Sequence, residues 1–223
     1  MDVDAIIKKR KTEKVLANST WEISQDQEKL HKTIDDLLEL AAHAPFHKKC
    51  DVIHVERSDL KSCIPWRAYV LDTVNCRLLY DHIEKENIKA GKISNMLAAA
   101  DALIMITWLP DSFETKNKAE VCETDFEGSL KNMEHIAAAS AAIQNILLSA
   151  TSRNIPNYWS SGGQLRLPEL REYLNISLQE VLLGAIFLFP EDINKPNTIV
   201  KPGLMRESGK ELSTWSKRID LNL

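Results

Sequence analysis

Between His135 and Gly163, apolar residues fall at Ile136, Ala139, Ile143, Ile146, Leu147 and Ala150, a three- and four-residue spacing that gathers them on one face of a helix. The other side carries alanines and serines instead of charges, so a second backbone can come close there. A helix that is apolar or small all round belongs in an interior. Pro156 cannot continue it, and Trp159, Ser160, Ser161, Gly162 and Gly163 then supply an aromatic wall, two hydroxyls and two permissive backbones. Two readings stand: an ordinary turn after a core helix, or a binding loop fed by that helix.

The same patterning divides the rest of the chain. Asp4 to Lys14 begins as a helix with an acidic first turn and a basic end, and Arg10, Thr12 and Lys14 then alternate, which points them to one side of an extended chain. Two cations and a hydroxyl there suit a phosphate and a polar ring edge, although a solvated basic face has the same composition. Ser24 to Ala44 reads as a capped helix with Leu30, Ile34, Leu37, Leu38 and Ala41 on one stripe, ended by Pro45 and followed by a polar turn, Phe46-His47-Lys48-Lys49. In Asp51 to Ile64, VIHV has the composition of a short strand and ERSDLKS is polar, and the pattern does not place the segment.

Pro65-Trp66 opens RAYVLDT, a predicted strand, with Trp66 in core packing. Leu78 to Ala100 has helical spacing with a break around Gly91. Ala102 to Leu109 and the run VLLGAIFLF before Pro190 suit strands buried on both faces. Asp111 to Ser129 predicts a surface excursion or lid, and Leu167 to Leu174 a short helix. The tail from Glu191 to Leu223 has no core pattern, yet it carries Leu204, Trp215 and Ile219, which suits packing on a partner chain.

Composition narrows the function classes. A chain of 223 residues at 44% hydrophobic can bury a substantial core, and one domain over 1–223 is expected. With 28 Lys and Arg against 32 Asp and Glu, the net charge of -4 gathers neither nucleic acid nor an anionic membrane. No apolar run reaches the roughly 18 residues of a membrane span. The start MDVDAIIKKRK lacks a signal-peptide core, and the four cysteines show no Cys-x-x-Cys spacing, which predicts reduced thiols in a cytoplasmic protein. There is no Gly-x-Gly-x-x-Gly, no Walker loop and no nucleophile elbow, and no metal site is predicted. The basic triplet, the His-Lys-Lys turn and the Trp-Ser-Ser-Gly loop offer no obvious acid, base or nucleophile, a pattern that suits a reaction carried by a cofactor.

In this order the motifs resemble those of the FMN-dependent nitroreductase family. Arg10, Thr12 and Lys14 look like its Arg-x-Ser/Thr-x-Lys/Arg start. Ala44-Pro45-Phe46-His47-Lys48-Lys49 is similar to an Ala-Pro-Thr-His-Lys-Lys turn of one branch, which continues into Pro-Trp-Arg, here Pro65-Trp66-Arg67. Gln144-Asn145 on the long helix, Tyr158 to Ser161, and Arg206 ahead of Trp215 also match. Two departures stand out: Cys50 to Ile64 lies between the turn and Pro-Trp where the branch has a couple of residues, and Phe46 replaces a small hydroxyl residue.

The resemblance implies an α+β, nitroreductase-like fold with a central, mostly antiparallel sheet flanked by helices. It implies a homodimer with a domain-swapped tail, the insertion at about 50–64 and the tail at about 191–223. It puts Arg10 and Arg206 on the FMN phosphate, Thr12 on the ribityl chain and Lys14 on the pyrimidine edge. Trp159, Ser160, Ser161 and Gly162 would lie along the isoalloxazine, with His47 and Lys48 supplied by the other subunit. The expected activity is NAD(P)H-driven reduction of nitroaromatics, quinones or related small acceptors in two half-reactions. The alternative is a flavin-binding protein with little turnover, its acceptor site filled by the insertion.

Overall fold

The two apolar runs form the middle of a four-stranded sheet. In the computed structural model, which describes residues 2–23, 26–111, 126, 128–203, 211–219 and 221, they are β3 (Ala102–Trp108) and β5 (Val181–Leu188), joined antiparallel from Ala102 opposite Leu188 to Trp108 opposite Val181. All seven residues of β3 are buried, as a strand covered on both faces requires. The edges are β2 (Trp66–Leu71), paired to β3, and β4 (Asn157–Ser160), paired to β5; every pairing is antiparallel. A separate two-stranded ribbon joins β1 (Glu13–Ala17) to β6 (Thr198–Pro202).

Helices cover both faces. On one side, α2 (Gln27–Ala42) and α6 (Leu130–Ser152) bury Ile34, Leu37, Ile143 and Ile146 against Ile104, Ile106 and Ile186. Truncating a fully buried isoleucine of this layer to alanine costs about 2 to 5 kcal/mol. On the other, α4 (Thr73–Lys85), α5 (Lys92–Ala99) and β1 pack Leu79, Met96, Leu97 and Val15 over Leu103, Met105 and Phe187. The chain opens with α1 (Val3–Lys9) and also holds α3 (Val52–Glu56) and α7 (Pro168–Tyr173). Asn87, Asn154 and Asn175, just past α4, α6 and α7, take positive φ, the left-handed turn with which asparagine ends a helix.

The α+β reading with antiparallel strands between helices holds, and several local expectations change. The first long helix starts at Gln27, because the Asp26 carboxylate accepts the Lys29 N–H at 3.0 Å; Ser24 lies outside the described residues. The core helix begins at Leu130, capped by Ser129. VIHV, left open by its pattern, is a helical turn, because Asp51 caps it at the Ile53 N–H (3.0 Å). Tyr158 to Ser160 form an edge strand instead of a loop, and the tail contributes β6. Most of the Asp111 to Ser129 excursion lies outside the described residues. Among those described, no helix is long and apolar enough to cross a membrane.

Candidate functional site

The first strand delivers Lys14 to the sheet's β4 edge. Arg10 follows α1, its N–H donating to the Ile6 carbonyl at 2.9 Å, and Thr12 and Lys14 lead into and along β1. The Lys14 ammonium stands 4.4 Å from the centroid of the Tyr158 ring on β4, a cation facing an aromatic quadrupole. Next along β4, Trp159 is 38% exposed, although a tryptophan normally buries more of its surface. It is seated on Gly184 of β5, where an added Cβ would lie 2.1 Å from the indole Nε1, so only glycine accommodates this placement.

The turn after β4 is fixed by backbone freedom and local hydrogen bonds. Gly162 has φ +104, and a Cβ there would lie 2.6 Å from Leu182 Cδ2, so the turn presses on β5 more closely than any side chain allows. The Ser160 Oγ accepts the Gly162 N–H at 3.2 Å, and Arg166 donates to the Ser161 carbonyl from Nε at 2.9 Å and Nη2 at 2.6 Å, leaving residue 161 exposed. At the far end of the ribbon, the Gly203 N–H donates to the Thr12 carbonyl at 3.1 Å. Arg206 lies outside the described residues.

Five of the ten residues singled out in the sequence, Lys14 and Trp159 to Gly162, therefore meet at one sheet edge, while Arg10 and Thr12 lead into β1. His47 and Lys48 do not join them. Both are exposed on the turn after α2, whose Phe46 meets Trp66 of β2 edge-on at 5.9 Å. β2 is the opposite edge of the sheet, three strand spacings or about 14 Å from β4.

The β2 edge holds polar groups that sequence reasoning missed. Arg67, only 3% exposed, donates from Nη1 to the Ile64 and Trp66 carbonyls (3.0 and 2.9 Å) and from Nη2 to those of Leu60 and Ser62 (3.2 and 2.9 Å). It thereby pins the 50–64 insertion to the sheet. Nearby, the buried Glu180 accepts the Tyr69 hydroxyl at 2.8 Å and the Thr107 hydroxyl, while Arg171 donates to the Glu180 carbonyl at 2.8 Å. Burial, and then the Glu180 charge, push the Tyr69 phenol well above its ordinary value, so it remains a donor. A cleft of about 590 Å³ separates the insertion, at His54, Arg57 and Asp59, from Tyr69, Gln179 and Glu180. No signal marked Glu180, and Arg67 stood out only as part of Pro-Trp-Arg.

The apolar residues of the insertion do not form a common cover: Val52 and Leu60 are exposed, and Ile64 packs into the α2–α6 layer. His54 binds the Pro110 carbonyl at 2.8 Å and His135 that of Leu109 at 2.9 Å, so both imidazoles fasten the exit of β3. Among the described residues, no three His, Cys, Asp or Glu side chains group as a metal site.

The fold recurs in solved structures. A nitroreductase-like family protein from Bacillus cereus aligns over 93% of this chain and 94% of its own, at 20% identity and a TM-score of 0.57. A nitroreductase family protein from Clostridium novyi aligns over 87% and 90%, at 17% identity and a TM-score of 0.54. A nitroreductase from Bacteroides fragilis with bound FMN aligns over 87% and 91%, at 19% identity and a TM-score of 0.51. At such identities the likeness is one of fold. No curated protein matches the chain. The Nitroreductase family model matches residues 26–188, from the cap of α2 to the last residue of β5, and the chain belongs to the nitroreductase family.

Proposed function

We propose that the chain is an FMN-dependent oxidoreductase that uses NAD(P)H to reduce nitroaromatics, quinones or related small acceptors, and that it works as a homodimer. The observation that carries this reading is the meeting of Lys14 with Tyr158 beside the Trp159 to Gly162 turn. Fixed positive charge, exposed aromatic surface and close-lying backbone are what a flat ring with an anionic phosphate requires, so the residues present fit FMN. The Bacteroides fragilis protein of the same fold is described with FMN bound.

In this reading Arg10 and Arg206 bind the phosphate, Thr12 the ribityl chain, and Lys14 the pyrimidine edge, where its charge favours negative charge on the ring. Trp159, Ser160, Ser161 and Gly162 line the isoalloxazine, and the indole keeps water from that side. When bound, FMN supplies the redox chemistry, accepting a hydride from NAD(P)H and returning electrons to the acceptor in a second half-reaction. His47 and Lys48 reach the ring from the second protomer, since within one protomer they stand at the other sheet edge. Exposed apolar residues support that assembly: Leu130 (69%) and Met133 (60%) on α6, and Trp215 and Ile219 in the tail.

The test is to titrate the apoprotein with FMN and follow NAD(P)H oxidation with a quinone and with a nitroaromatic. Micromolar or tighter binding with acceptor-dependent turnover is expected. Failure to bind FMN removes the reading, and binding without turnover removes its enzymatic half.

A further inference from the structure

Cys50 and Cys63 stand at the two ends of the insertion, and its fold brings them together. The Cys50 N–H donates to the Cys63 carbonyl at 3.0 Å, and the Cys50 Sγ lies 3.9 Å from the adjoining Ser62 carbonyl. This bond sets residues 50 and 63 side by side, and the Cys63 charge acts on the Cys50 thiol. A disulfide spans Cα atoms roughly 4.4 to 6.8 Å apart. Both thiols are free.

Arg67 makes the proximity durable. Its guanidinium grips the carbonyls of Ser62 and Ile64, on either side of Cys63, so the second thiol is held in place by a buried side chain. We propose that Cys50 and Cys63 are an oxidisable dithiol whose disulfide staples the insertion shut at its base, fixing the wall of the cleft that faces Tyr69 and Glu180.

The two thiols divide the chemistry. Cys63 is partly exposed and meets a peroxide first: its thiolate sulfur attacks one peroxide oxygen, the O–O bond breaks, and Cys63 becomes a sulfenic acid as hydroxide leaves. Cys50 is buried, and burial pushes its thiol up although the Arg67 charge pulls it down, so it is the resolving partner. Its sulfur attacks the sulfenic sulfur; the S–S bond forms, the S–O bond breaks, and hydroxide takes the Cys50 proton to leave as water. Across both steps two thiols lose two electrons and two protons, and hydrogen peroxide becomes two waters.

Trypsin cleavage after Lys49, Arg57, Lys61 and Arg67 puts the thiols on separate peptides, Cys50–Arg57 and Ser62–Arg67. After treatment of the full chain with hydrogen peroxide, mass spectrometry is expected to show these two peptides linked with the loss of two hydrogen atoms, the link reversing in dithiothreitol. Amide exchange over Val52–Glu56 is expected to slow at least about tenfold in the oxidised protein. Neither Cys50→Ser nor Cys63→Ser should form the link, and Cys50→Ser should instead accumulate oxygen on Cys63. Oxygen addition to Cys63 in the unsubstituted chain without a link to Cys50 would overturn the proposal, as would either thiol pairing with Cys76, with Cys122 or with a second chain.

Discussion

The two edges of the four-stranded sheet use the same kinds of side chain to opposite ends. At the β2 edge, Arg67 is buried and both its terminal nitrogens donate to backbone carbonyls, and Glu180 is surrounded by Tyr69, Thr107 and Arg171. At the β4 edge, among the described residues, Lys14 faces an aromatic ring rather than a carboxylate, and Trp159 is left 38% exposed. A buried ion must have its partners within the protein, so it specifies a fold; a half-buried cation beside an open ring keeps its capacity for a ligand. Charge and aromaticity alone therefore do not mark a site. What marks it is whether the protein has already used the donors.

The sharpest way to break this contrast is Arg67→Ala. Four carbonyls lose their donor and the insertion loses its anchor, which costs about 3 kcal/mol or more. For a chain of this size that is roughly a 6 to 12 °C fall in Tm. FMN affinity of the folded fraction should fall by less than about tenfold, because in the proposed dimer only the His47 and Lys48 turn joins this edge to the partner's flavin. Thermal unfolding and FMN titration of the same preparation check both halves. A large drop in affinity with an unchanged Tm would reverse the roles of the two edges.

Next in size is Gly184→Ala, which strikes the β4 edge through its packing. The new Cβ would sit 2.1 Å from Trp159 Nε1 and force the indole to move. Overpacking of this kind costs about 1 to 3 kcal/mol, and FMN binding should weaken with it. On the proposed reading, Arg10→Ala removes a phosphate donor that lies outside the buried core. Loss of a charge-assisted bond of about 1.5 to 3 kcal/mol should weaken FMN roughly ten- to a hundredfold while Tm in the absence of flavin stays within about 2 °C. Unchanged affinity would take Arg10 out of the site.

How much of this was legible depended on whether the determinant was local. β3 and β5 were readable because a strand buried on both faces must be apolar throughout, and α2 and α6 because their apolar stripes repeat. β4 was not: its four residues lie between Pro156 and Gly162 and become a strand only by pairing with Leu188 to Ala185, far along the chain. β6 was hidden for the same reason, since mostly exposed residues acquire structure from β1. VIHV stayed open in the sequence because β-branched residues favour strands in general, whereas here the Asp51 cap decides. The Arg-x-Thr-x-Lys spacing singled out Lys14, but its Tyr158 neighbour depends on a strand far along the chain. The Arg67 clamp and the Glu180 cluster joined positions that no periodicity connects.

The smallest effect belongs to Asp72, just past β2, where even a surface carboxylate serves the fold. It caps α4, accepting the Asn75 N–H at 2.9 Å and the Asn75 side-chain amide at 2.8 Å, and it meets His31 Nε2 of α2 at 3.0 Å. Burial alone would push this carboxyl up, but the hydrogen bonds from Asn75 and His31 together outweigh it and hold the value below the ordinary one. A carboxyl lowered by folding adds stability that is present above its unfolded pKa of about 3.9 and is lost as pH falls through the lower folded value. Asp72→Ala removes cap and charge and should cost about 1 kcal/mol near neutral pH. Asp72→Asn keeps a good cap, so it should cost less than half of that, and its deficit should shrink as pH drops below about 4. Neither change should alter FMN affinity by more than about twofold, because the carboxylate touches His31 near the start of α2, far along the helix from the His47 and Lys48 turn. Urea unfolding of the three proteins at several pH values measures this, and a deficit for Asp72→Asn that persists undiminished at pH 3 would show that the carboxylate's charge contributes nothing there.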